Sequence, residues 1–300
     1  MKTLQIGLSL LCNQFEIRKI FSLRVQSFTK NEIKSEGPLH SIEAPVLIKD
    51  IVPLSSRQQW WRHIQTRSKN ELIQVIQRGT ILEQELCHAL ELIQASTDSQ
   101  HDDPIYASSM GSSCSIDQLP VYDFCQALFD DTDVLCDFSI YTPIHETLVL
   151  SCNMAQSTLS SRAYTSIIIN LGGGSTQWRF ESQKNDNEDA YKASSSVTRT
   201  WLGNSFSMGW NSPHSLFADS ASGTDIVAST ITTPGDVLII PSFWWFQSMA
   251  NNDRANISIH SKRCGSNDLK ALARHILNKG VLPTENPEIV IKQLFEFIDR

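Results

Sequence analysis

The sequence predicts an α+β fold in which a β-rich second half lies between helical segments. The first observation is size, because 300 residues with 41% hydrophobic side chains suffice for one sizeable soluble domain. The second is a series of short apolar segments of strand length after residue 145, and the third is helical spacing of apolar residues before it. No run of eighteen apolar residues occurs, so the sequence predicts no transmembrane helix.

The first half of the chain is expected to be largely helical. Ser55–Ser68 is basic and aromatic, and Lys69–Gln94 carries apolar residues at helical spacing that is interrupted near Gly79. The residues that define this spacing are Leu72, Val75, Ile76, Leu82, Leu86, Leu90 and Ile93. Ser96–Ser115 is expected to be a polar loop, and Pro120–Phe129 a short helix that leads into the β-rich part.

Short apolar segments predict strands at 146–152, 165–171, 176–181, 236–241 and 256–261. Gly172–Ser175 is expected to form a hairpin turn rather than a phosphate-binding loop, because no Lys-Ser or Lys-Thr pair follows it. Ser182–Thr200 is polar and predicts a mobile loop. Asp268–Leu277 and Pro287–Ile298 are expected to form terminal helices.

The most informative segment is Gly235–Ser248, with the sequence Gly-Asp-Val-Leu-Ile-Ile-Pro-Ser-Phe-Trp-Trp-Phe-Gln-Ser. It resembles a late strand of the JmjC and cupin-8 group of Fe(II)/2-oxoglutarate oxygenases, in which the pattern ends in Trp-Trp-His and the histidine is an iron ligand. Phe246 stands at that position here, and its ring has no lone pair to donate to a metal. The resemblance covers about residues 120–277 and implies a double-stranded β-helix, the cupin/JmjC-like barrel.

The family's other metal ligands form a His-x-Asp motif that precedes a Gly-x-x-x-Trp turn. That turn is found as Gly174–Trp178, and counting back fourteen residues from Gly174 puts the histidine at Ser160 and the aspartate at Arg162. A register shifted by one residue gives Ser161 and Ala163, which also cannot replace the motif. Thr176 occupies the place at which the family often has a lysine for the co-substrate.

These substitutions imply a degenerate family member, a pseudoenzyme with no catalytic, cofactor-binding or metal-binding residues and no cofactor. The fixed positive charge of Arg162 would repel Fe(II) and requires an acidic partner or a small anion if it is buried. Phe246, flanked by Trp244 and Trp245, is expected to fill the former metal position, close to Ser160 and Arg162. The alternative is an active 2-oxoglutarate-dependent oxygenase of protein or RNA with displaced ligands such as His145 or His260.

The predicted organisation has an N-terminal extension, residues 1–54, that serves as a targeting or docking segment. A JmjC/cupin-like domain follows at 55–300. Within it we expect a helical N-terminal part at 55–130, a barrel at about 140–262 and C-terminal helices at 266–300. In the family, helices after the barrel commonly build a dimer or partner interface.

Charge is distributed unevenly along the chain. Residues 1–78 contain 12 Lys/Arg and 6 Asp/Glu, a net charge of +6, whereas residues 79–161 contain no Lys or Arg and 13 Asp/Glu. This acidic span predicts either a solvated face or a docking surface for a basic partner, and direct nucleic-acid binding by it is not expected. We expect a structural subunit of a larger protein complex, docked through the acidic span, the N-terminal segment or the C-terminal helices.

The N-terminus indicates a mitochondrial address, with a cytoplasmic location as the alternative. Residues 1–30 carry five Lys/Arg against Glu16 alone, interspersed with apolar residues, as in mitochondrial presequences. An ordinary amphipathic opening segment explains the same composition. We expect these first thirty residues to lie on a neighbouring subunit. Seven cysteines without a Cys-x-x-Cys pair indicate a reducing compartment.

Overall fold

A computed structural model of the chain describes residues 25–29, 32, 44–67, 72–77, 80–98, 105–109, 147–152, 154–181, 209–212, 215–217, 228–251, 256–263, 268 and 271. Most of these residues lie in β-strands, and the two helices described in full are α1 (Leu54–Arg67) and α2 (Leu86–Asp98). The fold of the described part is therefore β-rich. None of its helices is both long and apolar enough to cross a membrane.

The strands form two sheets. The larger has nine strands in the order β1 (Gln26–Thr29), β2 (Val46–Lys49), β12 (Val237–Ile240), β8 (Thr165–Gly172), β14 (Asn256–Arg263), β6 (Thr147–Ser151), β5 (Ile105–Ser109), β3 (Leu72–Gln77) and β4 (Thr80–Glu85). The smaller has five strands in the order β10 (Gly209–Ser212), β7 (Leu159–Arg162), β13 (Trp245–Asn251), β9 (Ser175–Glu181) and β11 (Ala228–Thr232). Within the described residues the two sheets do not join into a closed barrel.

The inner faces of the two sheets pack against each other. The larger sheet contributes Ile168, Leu238 and Ile240 to this inner cluster, and the smaller sheet contributes Trp178, Phe180 and Ala228. Trp244 is buried in the same cluster, and Phe246 packs against it from a half-buried position. Burial of this aromatic and aliphatic surface holds the two sheets together.

The outer face of the larger sheet carries a second and larger apolar cluster. Its strand residues include Ile48, Ile167, Ile169, Val237 and Ile259, and the helices α1 and α2 cover it. The helix α2 begins directly after β4 and buries Leu86 and Ala89, three residues apart, against the sheet. Strands β8 and β12 are consequently buried on both faces, which explains their continuous runs of Ile, Leu and Val.

The five strands expected in the second half are confirmed as β6, β8, β9, β12 and β14, with ends that differ by one or two residues. The expected helix over Lys69–Gln94 is wrong in its first part, because β3 and β4 form an antiparallel hairpin there. Ile73 and Val75 are buried while Leu72 is 52% exposed, so alternate residues point to opposite faces. Among the described residues of this segment, the helix begins at Leu86.

Two further expectations are corrected by long-range pairing. Ser96–Ser115 is not all loop, because α2 extends to Asp98 and β5 pairs with both β3 and β6. Gly172–Ser175 is not a hairpin turn, because β8 lies in the larger sheet and β9 in the smaller one. The chain crosses between the sheets at this turn, where Gly173 adopts a φ of 85° that favours glycine.

Part of the predicted N-terminal extension belongs to the larger sheet. Strand β2 pairs with β12, and β1 pairs in parallel with β2. Residues 25–29 thus lie on their own chain rather than on a neighbour, contrary to the expectation for the first thirty residues. Residues 1–24 lie outside the described residues, as do the expected helix Pro120–Phe129, the expected loop Ser182–Thr200 and all but Asp268 and Ala271 of the expected terminal helices.

Candidate functional site

The structure brings together two of the three positions at which the sequence resemblance predicts metal ligands. Ser160 on β7 is directly opposite Phe246 on β13. Directly opposite residues of an antiparallel pair point to the same face of the sheet, and that face is the inner one, because Phe246 packs against the inner cluster. Arg162, two residues after Ser160 on β7, belongs to the same side of the strand.

The side chains at these positions do not suit Fe(II). An oxygenase iron site uses two imidazoles and one carboxylate on one face of the metal. The corresponding groups here are a hydroxyl, a guanidinium and a phenyl ring, and the Oγ of buried Ser160 already donates to the carbonyl oxygen of Thr158 at 3.1 Å. No step through a metal is therefore derived for this site. The shifted register fails as well, since Ser161 pairs with Trp245 on the opposite face and Ala163 has no donor.

Aromatic packing occupies the space around Phe246. Its ring centroid lies 6.3 Å from that of Trp178 at an interplanar angle of 47°, and Phe246 is directly opposite Phe180. Such tilted aromatic pairs add to the stabilisation from buried area. Trp244 is buried on the same side, whereas Trp245 points to the other face and is half-buried. The expectation that both tryptophans flank Phe246 is thus met by Trp244 only.

The turn before β13 holds a strained residue next to this packing. Phe243 is buried and adopts a φ of 65°, which is rare for a bulky side chain. Its backbone N–H donates to the carbonyl oxygen of Arg162 at 2.6 Å, so the turn is hydrogen-bonded to the end of β7. This bond connects β7 to the turn before β13, the two strands on which the resemblance predicts metal ligands.

His260 lies on the inner face of the larger sheet. On β14 it is opposite Ile168, a member of the inner cluster, and its ring centroid lies 6.3 Å from that of Trp178. Its Nε2 and the Oγ of Ser258 are 3.1 Å apart, within hydrogen-bonding distance. Burial, reinforced by the positive charge of Arg162, lowers the pKa of His260 to about 4, so the ring is neutral at neutral pH. Sequence reasoning proposed His260 as a displaced ligand, and the structure brings it near Arg162.

A neutral imidazole is a possible metal ligand, but a metal needs further donors. Among the residues that the structure describes, no group of three or more His, Cys, Asp and Glu side chains is arranged to hold a metal ion. His145, the other histidine proposed as a displaced ligand, lies outside the described residues. The neighbours identified for His260 are a hydroxyl, an indole and a guanidinium.

Thr176, at the place of the co-substrate lysine, is buried and engaged in structural contacts. Its Oγ1 accepts a hydrogen bond from the Nδ2 of Asn256, and its carbonyl oxygen accepts one from the Oγ1 of Thr232 at 3.4 Å. Trp178 donates its indole N–H to the same Thr232 hydroxyl at 3.1 Å. These bonds connect β9 to β11 in its own sheet and to β14 in the larger sheet, and Thr176 supplies no positive charge.

The sequence analysis missed the role of Asp236. This buried carboxylate accepts hydrogen bonds from Lys49 Nζ at 3.0 Å, the backbone N–H of Asp50 at 2.9 Å, and the backbone N–H and Oγ1 of Thr233 at 2.8 and 2.9 Å. The neighbouring Gly235 has a φ of 104° and accepts two further backbone bonds, from Ile51 and Val52. The Gly-Asp pair at the start of the motif was the available signal. We refer to Gly235, Asp236 and their partners as the Asp236 clamp.

Searches against models of protein families and against curated proteins find no match to this chain.

Proposed function

We propose that this protein is a non-catalytic, JmjC/cupin-like pseudoenzyme that serves as a structural or interaction subunit of a larger protein assembly. The observation that carries the proposal is the register of β7 and β13. It puts Ser160 opposite Phe246, with Arg162 two residues further on. These are the three positions that the resemblance equates with the family's metal ligands. A hydroxyl, a cation and a phenyl ring lack the donor set of an iron centre.

The strand order supports a double-stranded β-helix. Strands β12, β8, β14 and β6 are neighbours in the larger sheet, and β7, β13, β9 and β11 are neighbours in the smaller one. Along the chain these eight strands alternate between the sheets, except where β9 is followed by its antiparallel partner β11. Two sheets of four interleaved antiparallel strands are the arrangement expected for the cupin and JmjC barrel. The apolar side chains of the inner cluster pack the two sheets against each other.

The proposed partners are other protein subunits. The acidic span 79–161 is the first docking candidate, because it lacks basic residues and its described carboxylates Glu83, Glu85 and Glu91 are exposed. The N-terminal segment and the C-terminal helices are the other candidates. The composition of residues 1–30 supports a mitochondrial location as part of the proposal, with the cytoplasm as the alternative.

The second candidate function is a 2-oxoglutarate-dependent oxygenase of protein or RNA with displaced metal ligands. One observation favours it: His260 is neutral and points into the space between the sheets. The side chains of Ser160, Arg162 and Phe246 disfavour this function. Each of the three predicted ligand positions lacks a metal-ligating group, so three other residues would have to supply the ligands.

Metal content and co-substrate turnover distinguish the two functions. Full-length protein purified with Fe(II) or Mn(II) in the buffer should contain far less than one metal ion per chain by mass spectrometry, and should produce no succinate from 2-oxoglutarate. Stoichiometric metal together with 2-oxoglutarate turnover would establish the oxygenase. For the assembly, the tagged chain should elute from size-exclusion chromatography of a native extract with other proteins; elution as a monomer would contradict the subunit role.

A further inference from the structure

Strand β4 forms an open edge of the larger sheet. Among the described residues it pairs only with β3, in an uninterrupted register of six residue pairs from Leu72–Glu85 to Gln77–Thr80. Alternate residues of an edge strand turn their backbone N–H and C=O groups away from the sheet. The helix α2 contacts β3, β4, β5 and β6, so it crosses the face of the sheet, and within the described part of the chain no strand or helix lies along the free edge of β4.

Strand β4 lacks lysine, proline and a β-bulge, three of the devices that prevent strand addition, and its charged residues are the acidic Glu83 and Glu85. Natural edge strands are commonly blocked by proline, by lysine or by a β-bulge. Residues 80–85 are Thr-Ile-Leu-Glu-Gln-Glu, without proline or a basic residue, and the register with β3 shows no bulge. Exposed apolar side chains lie at the same edge, because Leu82 is 39% exposed and Leu72 is 52% exposed.

The two faces of the edge differ in chemistry. Glu83 and Glu85 lie two residues apart and share one face with Leu72, which is directly opposite Glu85. Both carboxylates are exposed. Leu82 lies on the other face, opposite the buried Val75 and beside α2. A complementary strand therefore has basic residues on one face, next to the glutamates, and apolar residues on the other, next to Leu82.

We propose that β4 is a docking edge for an extended basic segment of another protein, which adds to the larger sheet as a further strand with alternating basic and apolar residues. Backbone hydrogen bonds provide affinity in this mode of recognition, and alternate side chains provide specificity. Two β4 edges from two copies of the chain would bring two pairs of glutamates into one short ladder, which disfavours self-pairing. The choice of a protein occupant rests on the proposed interaction role.

The test uses the full-length chain and a fluorescein-labelled peptide, Lys-Val-Lys-Val-Lys-Val, with binding measured by fluorescence anisotropy. We expect saturable binding that weakens about tenfold in the double variant Glu83→Lys with Glu85→Lys, because attraction becomes repulsion at two cross-strand positions. The matched control is Glu91→Lys on α2, whose exposed carboxylate lies off the strand, and its affinity should change less than about twofold. Circular dichroism verifies that all variants are folded.

A second peptide separates strand addition from simple charge attraction. The same sequence N-methylated at successive residues keeps its charge but lacks backbone donors on both edges, and we expect it not to bind. Equal binding of the two peptides, equal weakening by Glu91→Lys, or no effect of the double variant would each overturn the proposal. A dimer in sedimentation velocity that the double variant abolishes would identify a second copy as the occupant and also overturn it. None of these outcomes depends on the metal assay, which tests the proposed function separately.

Discussion

The two ends of the segment Gly235–Ser248 make different kinds of contact in this protein. At its start, Gly235 and Asp236 keep a complete set of hydrogen bonds that hold β2 and the turn before β12. At its end, Phe246 stands where the resemblance predicts a metal ligand, and it packs with Trp178 and Phe180. The difference teaches that the first end of the segment organises the sheet through hydrogen bonds, whereas the second end contributes aromatic packing between the sheets.

The largest expected effect is at the Asp236 clamp. Asp236→Ala removes the carboxylate that accepts four hydrogen bonds, so the donor groups of Lys49, Asp50 and Thr233 lose their acceptor. We therefore expect the free energy of unfolding to fall by about 3–5 kcal/mol. Urea denaturation measures this change. Asp236→Asn, which retains one oxygen acceptor, should lose about half as much. A loss below about 1 kcal/mol for Asp236→Ala would show that the clamp does not organise the sheet.

The second effect is a pH dependence that originates near the altered end. The folded-state pKa of His260 is lowered to about 4 by burial and by the charge of Arg162, below its ordinary value of 6.5. The unfolded state therefore binds the proton more tightly. The corresponding stability is fully present above about pH 6.5 and is lost as the pH falls towards 4, an effect on the order of 2–3 kcal/mol.

Urea denaturation of the wild type and of His260→Gln at several pH values between 7 and 4 measures this contribution. The glutamine variant cannot titrate, so the difference in the free energy of unfolding between the two proteins should change with pH across this window. Parallel curves for the two proteins would mean that His260 has the same pKa in the folded and unfolded states.

The third effect concerns the packing at the altered end. Phe246→Ala removes a half-buried ring from the inner cluster and should lower the free energy of unfolding by about 2 kcal/mol. Ile231→Ala on strand β11 of the same sheet is the control, since Ile231 is 46% exposed, and should cost less than about 1 kcal/mol. Equal effects in urea denaturation would contradict a packing role for Phe246.

The smallest expected effect is that of Phe246→His on metal binding, which should be none. The variant restores one imidazole, but Ser160 and Arg162 still occupy the other ligand positions. Metal content after incubation with Fe(II) or Mn(II) and desalting measures this. The triple change Ser160→His, Arg162→Asp and Phe246→His should retain metal. Its failure to do so, in a protein that is folded by circular dichroism, would contradict the equivalence of these positions with the family's ligands.

Local patterns were sufficient to predict five strands in the second half of the chain. Runs such as Ile167-Ile168-Ile169 and Val237–Ile240 predict buried strands because their apolar content suits burial on both faces. Spacing from Gly174 selected Ser160, and the Trp-Trp-His pattern selected Phe246, as positions of two predicted ligands. The register of β7 with β13 puts these two residues opposite each other. Whether a side chain has the imidazole or carboxylate group of an iron ligand depends on the residue type alone. It can therefore be read from the sequence without knowledge of the fold.

Tertiary structure decided the features that depend on partners distant in sequence. Leu72–Glu85 has apolar spacing compatible with a helix, yet pairing with β5 and burial of Ile73 and Val75 make it a hairpin. The residue pair Lys49–Asp236 spans 187 positions, and no local pattern indicates it. A strand pairs with whichever strand the fold brings beside it, and an apolar side chain is buried by whichever segment packs against it. The sequence by itself determined only the side chains and backbone groups that each residue brings to these contacts.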